Sequence, residues 1–331
     1  MPGQPGVADV YVPTILDSVL IGFLQDETKF ASTQVFPMVP TALPQGFVPQ
    51  WNLGDLYRDR ATKRAPGSPA PGTGFTTNNT LRYTCEERAV ALPVPDPVSG
   101  AAQAPYQLER DVTRAVGQQM LIHREQDWIN QFWRTGIWGR DWIGQATADA
   151  THKAFWDATG STPVEDVTQE MDHIEAITGY RPNRLVLGPT VRTGLTNNSE
   201  LVQRIQYGGS PLNPAVVTDA ALAAVFGVEK VIRAAAVVNS AAEGAANVIN
   251  FMAGRSALLC YAASSPSIWE PSAGYTFAWT GVSGAPGNLG FRVKSYRWER
   301  DAATYIEGQA FYDMQQIVPA LGTFFSNITA N

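Results

Sequence analysis

The stretch TGYRPNRLVLGPTVRTGLTNN, residues 178–198, has the local pattern of a turn that could hold a phosphate. Leu185-Val186-Leu187 reads as a short buried strand. Gly188-Pro189 breaks it, and Thr190 stands where it could cap a helix through Val191 and Leu195. Anions bind at such strand-to-helix junctions because a helix N-terminus offers free N–H groups. The glycines of a phosphate cradle are missing, however. Neither G-x-x-x-x-G-K-[ST] nor G-x-G-x-x-G occurs, and GPTVRTG offers only Arg192. The serine elbow G-x-S-x-G is missing too, since GRSAL and GVSGA both depart from it.

Acid–base and metal chemistry find little more. His123, His152 and His173 have no second His or Cys at ligand spacing, so no metal site is expected. His123 falls between Ile122 and Arg124 in a helical run and reads as a surface or interface residue. His173 lies beside Asp172 and Glu175, but a catalytic His–carboxylate pair is not expected there. Glu86, Glu87, Asp166, Glu170 and Glu175 lie in solvated patterns, outside any apolar run that would raise a carboxyl pKa. Cys85 and Cys260 form no CxxC and read as two buried thiols. No cofactor is implied, and the pattern points away from an enzyme.

The chain around these residues has 331 positions, room for one large domain or two ordinary ones. It is 44% hydrophobic, with nine Trp, fourteen Phe and eleven Tyr, ample for a packed core. With 29 Gly and 23 Pro, many turns and extended connections follow. The net charge is −6, and bases mix with acids in RDRATKR and RVKSYRWERD. That mixture excludes the basic stripe of a sequence-specific nucleic-acid binder. No apolar run reaches the ~20 residues that span a bilayer. The opening MPGQPGVADVYVP lacks the basic start and apolar stretch of a secretory signal, so a cytoplasmic protein is expected.

The elements that position these residues can be read in order. Residues 1–30 form a Gly/Pro arm, then TILDSVLIGFLQDETKFA. There Ile15, Val19 and Phe23, with Leu16, Leu20 and Leu24, fall at helical spacing. Such an arm is placed to lie across a neighbouring subunit. Residues 44–97 form a long excursion whose middle, Pro66 to Gly74, is too rich in Pro and Gly for regular structure. On its return, Leu81, Tyr83, Cys85 and Glu87 alternate with Arg82, Thr84, Glu86 and Arg88 at strand period. A projecting two-stranded hairpin is predicted. Isolated hairpins are marginal in water, so another subunit is expected to cover it. The alternative is a disordered linker within 61–74.

A helix of about 45 Å is predicted over 105–135, with Pro105 in its first turn and Gly136 at its end. Its stripe runs through Leu108, Val112, Val116 and Met120, then Leu121, Trp128, Ile129, Phe132 and Trp133. Thr162 and Glu165 read as a capping box for the next helix, with Pro163 first in it and Gly179 ending it. Val164, Val167, Met171, Ile174 and Ile177 form its expected buried face. Helices at SELVQRIQ and TDAALAAVFGV follow, then strands at KVIRAAAVV, NVINFMA, SALLCYAA and YTFAWT. A long hairpin closes the chain at FRVKSYRWERDAATYIEGQAFYDMQQIV. The class is α+β, not a repeating βαβ array.

This order resembles the major capsid protein family of tailed bacteriophages, whose Hong Kong 97-type fold encapsulin shells share. The resemblance rests on the arm, the hairpin and the long helix in that order. It rests also on Arg181-Pro182-Asn183-Arg184-Leu185-Val186-Leu187-Gly188-Pro189, Leu195-Thr196-Asn197-Asn198 and LAAVFGVEKVIRAAA. It implies an N-terminal arm at 1–30, an extended loop at 44–97, and a peripheral domain at 98–180 holding a spine helix at 105–135. An axial domain at 181–265 and return strands of the peripheral domain at 266–331 follow. The 178–198 turn then belongs to the axial core and holds no ligand.

The implied function is a shell of hexamers and pentamers around double-stranded DNA, in the virion, assembled in the host cytoplasm. Scaffolding, decoration and portal proteins are the implied partners. The DNA is enclosed without sequence-specific contacts, and an acidic chain suits confinement without grip. The expected subunit-interface residues are Arg58, Arg60, Lys63, Arg64, Arg82, Tyr83, Glu86, Glu87 and Arg88. Some family members carry a long N-terminal scaffold segment; here about 30 residues precede the loop, so a separate scaffolding protein or none is expected. Lys63 is the hairpin's only lysine and no asparagine stands out as its partner, so no covalent cross-link is expected. The alternatives are an encapsulin-like compartment around a cargo enzyme, an α/β enzyme using 178–198, or a tail tube, which the long spine helix disfavours.

Overall fold

The structure, a computed structural model, describes residues 25–69, 72, 74, 76–101, 108–207, 217–265, 270–281 and 291–330. The helical pattern at 15–24 and the helix start at Pro105 lie outside the described residues. Helix α1 (Ser32–Val35) leads into strand β1 (Met38–Thr41). The excursion holds β2 (Gln45–Phe47), β3 (Gln50–Trp51), α2 (Leu53–Leu56), β4 (Thr77–Asn78), β5 (Arg82–Thr84) and β6 (Glu86–Pro95). A short α3 (Asp96–Ala101) precedes the long α4 (Leu108–Phe132). Then come β7 (Arg140–Gln145), β8 (His152–Ala154), α5 (Pro163–Thr178), β9 (Arg184–Leu187), α6 (Pro189–Asn197), α7 (Ser199–Tyr207) and α8 (Asp219–Phe226). The chain ends through β10 (Lys230–Arg233), β11 (Val237–Asn239), β12 (Ile249–Phe251), β13 (Ala257–Cys260), β14 (Gly274–Trp279), β15 (Phe291–Trp298), β16 (Ala303–Gln316) and β17 (Gly322–Ser326).

β16 organises the first sheet. Along one edge it pairs with β6, from Ala303↔Pro95 to Tyr312↔Glu86. Its other edge is shared by β15, from Trp298↔Ala303 to Phe291↔Ala310, and then by β14. β1 adds to β14 in parallel. The spine helix α4, 25 residues and about 37 Å at 1.5 Å per residue, lies on this sheet. It settles closely because β16 has no side chain at Gly308, where a Cβ would stand 2.5 Å from Val116 Cγ1. Val94, Val116 and Ile306 make a small apolar cluster at that contact.

The second sheet runs β10-β9-β13-β17-β7-β8. Its central strands carry continuous apolar runs, and Leu185–Leu187 and Ala257–Cys260 are buried throughout. Between the two sheets lies the aromatic core. Phe36, just after α1, meets Phe132 at 4.7 Å and Trp128 at 6.1 Å between ring centres. Such rings bury a large area each and dominate core energetics.

Five readings change. The lobe expected from 181–265 draws strands from three separated stretches: β7 and β8 come from 140–154, and β17 comes from the segment read as peripheral return strands. Gly322–Ser326 is too short a run for periodicity to assign it a partner. Thr162 makes no side-chain cap; its carbonyl accepts from Asp166 N–H instead. Ile177 is exposed, because a 3.6-residue period carries the buried face from Ile174 to Thr178, whose hydroxyl is satisfied by the Ile174 carbonyl. Thr190 lies inside α6 and Gly188 is the N-cap. Glu170, read as solvated, is buried against Arg140 at 3.3 Å and Thr323 Oγ1 at 3.3 Å.

Candidate subunit interface

The excursion is a hairpin with two short antiparallel ladders. β2 and β5 pair Gly46 with Tyr83 and Phe47 with Arg82; β3 and β4 pair Gln50 with Asn78. Gly46 lets the Tyr83 ring lie close, since a Cβ there would sit 2.7 Å from the Tyr83 hydroxyl and the ring would have to shift. The Tyr83 ring folds across that gap and stacks on Phe277 of β14 at 4.6 Å. Beyond the ladders, Asp55 holds the two arms together. Its carboxylate accepts from Thr76 Oγ1 at 2.5 Å, from Thr76 N–H at 3.2 Å and from Arg60 Nη2 at 2.7 Å. These donors, Thr76 foremost, hold the Asp55 carboxyl below the usual range. Arg60 Nη1 reaches on to the Gly74 carbonyl at 2.6 Å. At the base, Tyr57 OH donates to the Thr178 carbonyl at 2.5 Å, tying the hairpin to the C-terminus of α5.

Leu43, Phe47, Leu56 and Tyr57 all remain about half exposed or more on this hairpin. Exposed apolar side chains gathered on one short segment are a mark of a protein contact. The predicted charges distribute around it. Arg58, Lys63, Glu86 and Glu87 are exposed, and Arg64, also exposed, donates to the Ser68 carbonyl. Arg82 lies over the Phe47 ring at 4.7 Å. Arg60 turns inward to Asp55.

Two more of the expected interface residues are, like Arg60, not exposed. Tyr83 is half-buried on Phe277, and Arg88 is half-buried against the spine. Arg88 Nε pairs with Asp127 at 2.9 Å, Nη1 donates to the Tyr312 carbonyl at 2.9 Å, and its guanidinium covers the Tyr312 ring at 4.4 Å. From Glu86 onward the return arm is a strand of the body sheet. Alternation in the sequence separates the two faces of such a strand, but says nothing of a partner more than 200 residues away.

The base of the arm was missed altogether. Glu125, on α4, is fully buried and accepts from Ala31 N–H and Ser32 N–H, both at 2.9 Å, at the start of α1. Burial pushes its carboxyl above the usual range, while those N–H groups favour the charged form. An acid between Leu121 and Trp128, inside the apolar stripe, was the available signal. Gln25 anchors the arm a second time: its amide donates to the Val237 carbonyl at 2.8 Å and accepts from Val237 N–H at 2.9 Å.

The residues singled out for chemistry are placed otherwise. Gly188 packs against the loop at 254–256, where a Cβ would collide with the Gly254 carbonyl. A cavity of about 440 Å³ beside this turn is lined by Asp157, Thr190, Thr193, Asn197 and Arg233. His173 is exposed on α5, and the neighbouring Asp172 and Glu175 both bind Arg181, at 3.0 and 2.6 Å. Both thiols are free and buried, and burial raises Cys85 to about 11 and Cys260 to about 12. Among the described residues no three or more His, Cys, Asp or Glu are grouped so that they could hold a metal ion.

No protein-family model and no curated protein sequence matches the chain. Solved structures do. A phage-related protein from Bordetella bronchiseptica aligns over 97% of this chain and 98% of its own, with a TM-score of 0.69 at 19% identity. The capsid of the cyanophage P-SCSP1u aligns over 99% and 96%, with a TM-score of 0.59 at 14% identity. The holo-SrpI encapsulin complex from Synechococcus elongatus aligns over 93% and 89%, with a TM-score of 0.54 at 10% identity. At these identities the likeness is one of fold, and it runs the length of the chain.

Proposed function

From the Hong Kong 97-type α+β fold that the chain shares with these proteins, we propose that it is the major capsid protein of a tailed bacteriophage. Many copies close an icosahedral shell of hexamers and pentamers around double-stranded DNA, in the virion, after assembly in the host cytoplasm. The observation that carries this reading is the end-to-end likeness to the P-SCSP1u capsid. The chain acts as a building block, not as an enzyme. The hairpin supplies the assembly chemistry: Leu43, Phe47, Leu56 and Tyr57 are buried by a neighbour, and apolar burial drives the contact. Arg58, Lys63, Arg64, Glu86 and Glu87 pair across it. Each exposed pair adds at most ~1 kcal/mol, so the charges set partner and register more than strength. The net charge of −6 favours enclosing DNA without sequence-specific grip.

The test is electron microscopy of the purified chain beside a triple variant, Leu43→Ser, Phe47→Ser and Leu56→Ser, which removes exposed apolar side chains of the hairpin and leaves the backbone pairing of both ladders. The parent is expected to form closed shells. The variant is expected to keep its circular dichroism spectrum and to elute as small species. Shells of normal size from the variant overturn the role given to the hairpin. Likeness to the SrpI encapsulin favours a second reading, a compartment around a cargo enzyme. Nuclease-protected DNA in particles from infected cells supports the phage capsid; a co-purifying enzyme in its place supports the compartment.

A further inference from the structure

A cavity of about 540 Å³ opens between the spine helix, the start of β1 and the β15–β16 ladder. Met38, Leu121 and Phe291 give it apolar walls, and Gln118 and Arg124, on the spine, give it donors. Nε and Nη2 of Arg124 are buried without a hydrogen-bond partner, and so is Nε2 of Gln118. Tyr312 offers the guanidinium a ring face at 5.7 Å, which leaves those N–H groups unpaired. The acids nearby are spent elsewhere. Glu125, next on the helix, accepts from Ala31 and Ser32 N–H with its two oxygens, and Asp127 pairs with Arg88. Among the described residues no carboxylate lines the cavity. Buried polar groups are almost always paired, and a buried charge without an acceptor is costly.

Gly117 supplies a second, independent observation. It stands inside a 25-residue helix, where glycine costs roughly 0.5–1 kcal/mol relative to alanine. Gly308 is accounted for by the close approach of Val116, but a Cβ at Gly117 would meet no atom within 4 Å. Gly117 lines this cavity, so the missing side chain serves to widen it. The site thus combines unsatisfied donors for an anion with apolar space held open beside them.

We propose that the cavity binds a small aliphatic carboxylate. Its anionic head accepts from Nε and Nη2 of Arg124 and from Nε2 of Gln118, and its apolar body lies over Gly117 against Met38, Leu121 and Phe291. Nε and Nη2 form one edge of the guanidinium, a fork that a planar carboxylate matches with both oxygens. Small-ligand sites typically measure about 300–1,000 Å³ and are mostly apolar with a few placed polar groups, and this cavity has that character. The described walls belong to a single chain, so the assignment is independent of the shell reading.

The test is isothermal titration calorimetry of the full, unassembled chain with decanoate below its micellar concentration. Saturable binding of one molecule per chain is expected. Acetate, which has the head without the body, and decyltrimethylammonium, which has the body with the opposite charge, are expected not to bind at the same concentrations. Arg124→Gln is expected to weaken decanoate binding roughly tenfold or more, through loss of charge-assisted bonds. Gly117→Leu, which fills the open space and leaves every donor in place, is expected to abolish it. Circular dichroism checks that both variants fold; where one does not, Gln118→Leu takes its place, with weakened binding expected. No saturable binding, equal binding of the cationic amphiphile, or unchanged affinity in the variants overturns the proposal. Absent decanoate binding together with lost association between copies in Arg124→Gln gives the donors to an acid of a neighbouring chain, and overturns it as well.

Discussion

Replacing Glu125 with alanine removes the acceptor for two backbone N–H groups, Ala31 and Ser32, each bonded at 2.9 Å in a fully buried setting. Hydrogen bonds to a charged group contribute about 1.5–3 kcal/mol each. The raised pKa shows that burial disfavours the carboxylate, so part of that gain is offset. The net cost expected for E125A is about 3 kcal/mol. E125Q, which keeps one acceptor oxygen but turns an NH₂ toward the second N–H, is expected to cost about 2 kcal/mol. Phe36 remains packed on Trp128 and Phe132, so neither variant is expected to lose the fold. Urea unfolding of the unassembled chain, followed by tryptophan fluorescence, measures both values. The pH dependence has a definite sign. A carboxyl raised above its unfolded value, about 4.3, binds more protons folded than unfolded, so its contribution to stability grows as pH falls through the folded pKa. The gap between parent and E125Q should therefore widen from neutral pH toward pH 5. A cost below about 0.5 kcal/mol for E125A at pH 7 refutes the anchoring role.

Three further outcomes are expected. Cys85 and Cys260, with thiols raised to about 11 and about 12, should resist a thiol reagent at pH 8 in the native chain and both react in denaturant. Asp55→Asn should open the hairpin, read as faster proteolysis within 58–76. In the parent the same loss should appear only in acid, because a lowered carboxyl contributes above its unfolded pKa and fails as pH drops through the folded one. Gly308→Val should force the spine helix off β16 by colliding with Val116, lowering stability by about 1–3 kcal/mol or more, where Gly117→Ala, in open space on the same helix, should not.

The sequence made the long elements legible and left their neighbours dark. The spine helix, the hairpin and the β15–β16 ribbon were readable because each repeats a period over many residues. Strand β17, Gly322–Ser326, was not, because a few apolar residues fit helix and strand alike, and its partners β13 and β7 come from distant parts of the chain. The interface set divides for the same reason. Arg58, Lys63 and Glu87 were placed on the surface by local pattern alone. Arg88 was not, since its partners Asp127 and Tyr312 are fixed by tertiary packing. Glu125 was overlooked because an acid at a core position breaks the stripe, and only the arm folding back over it explains why it is tolerated.

The Gln25 side chain has a consequence for unwanted polymerisation. Among the described residues β11 pairs only with β12, so its outer margin presents main-chain groups that an extended peptide could copy. By placing one amide against both the N–H and the C=O of Val237, Gln25 imitates a single residue of an added strand and goes no further. The slot is filled by a group that cannot propagate a ladder. In the many-copy shell proposed above, such a stopper would separate ordered association through shaped surfaces from runaway growth along a free strand.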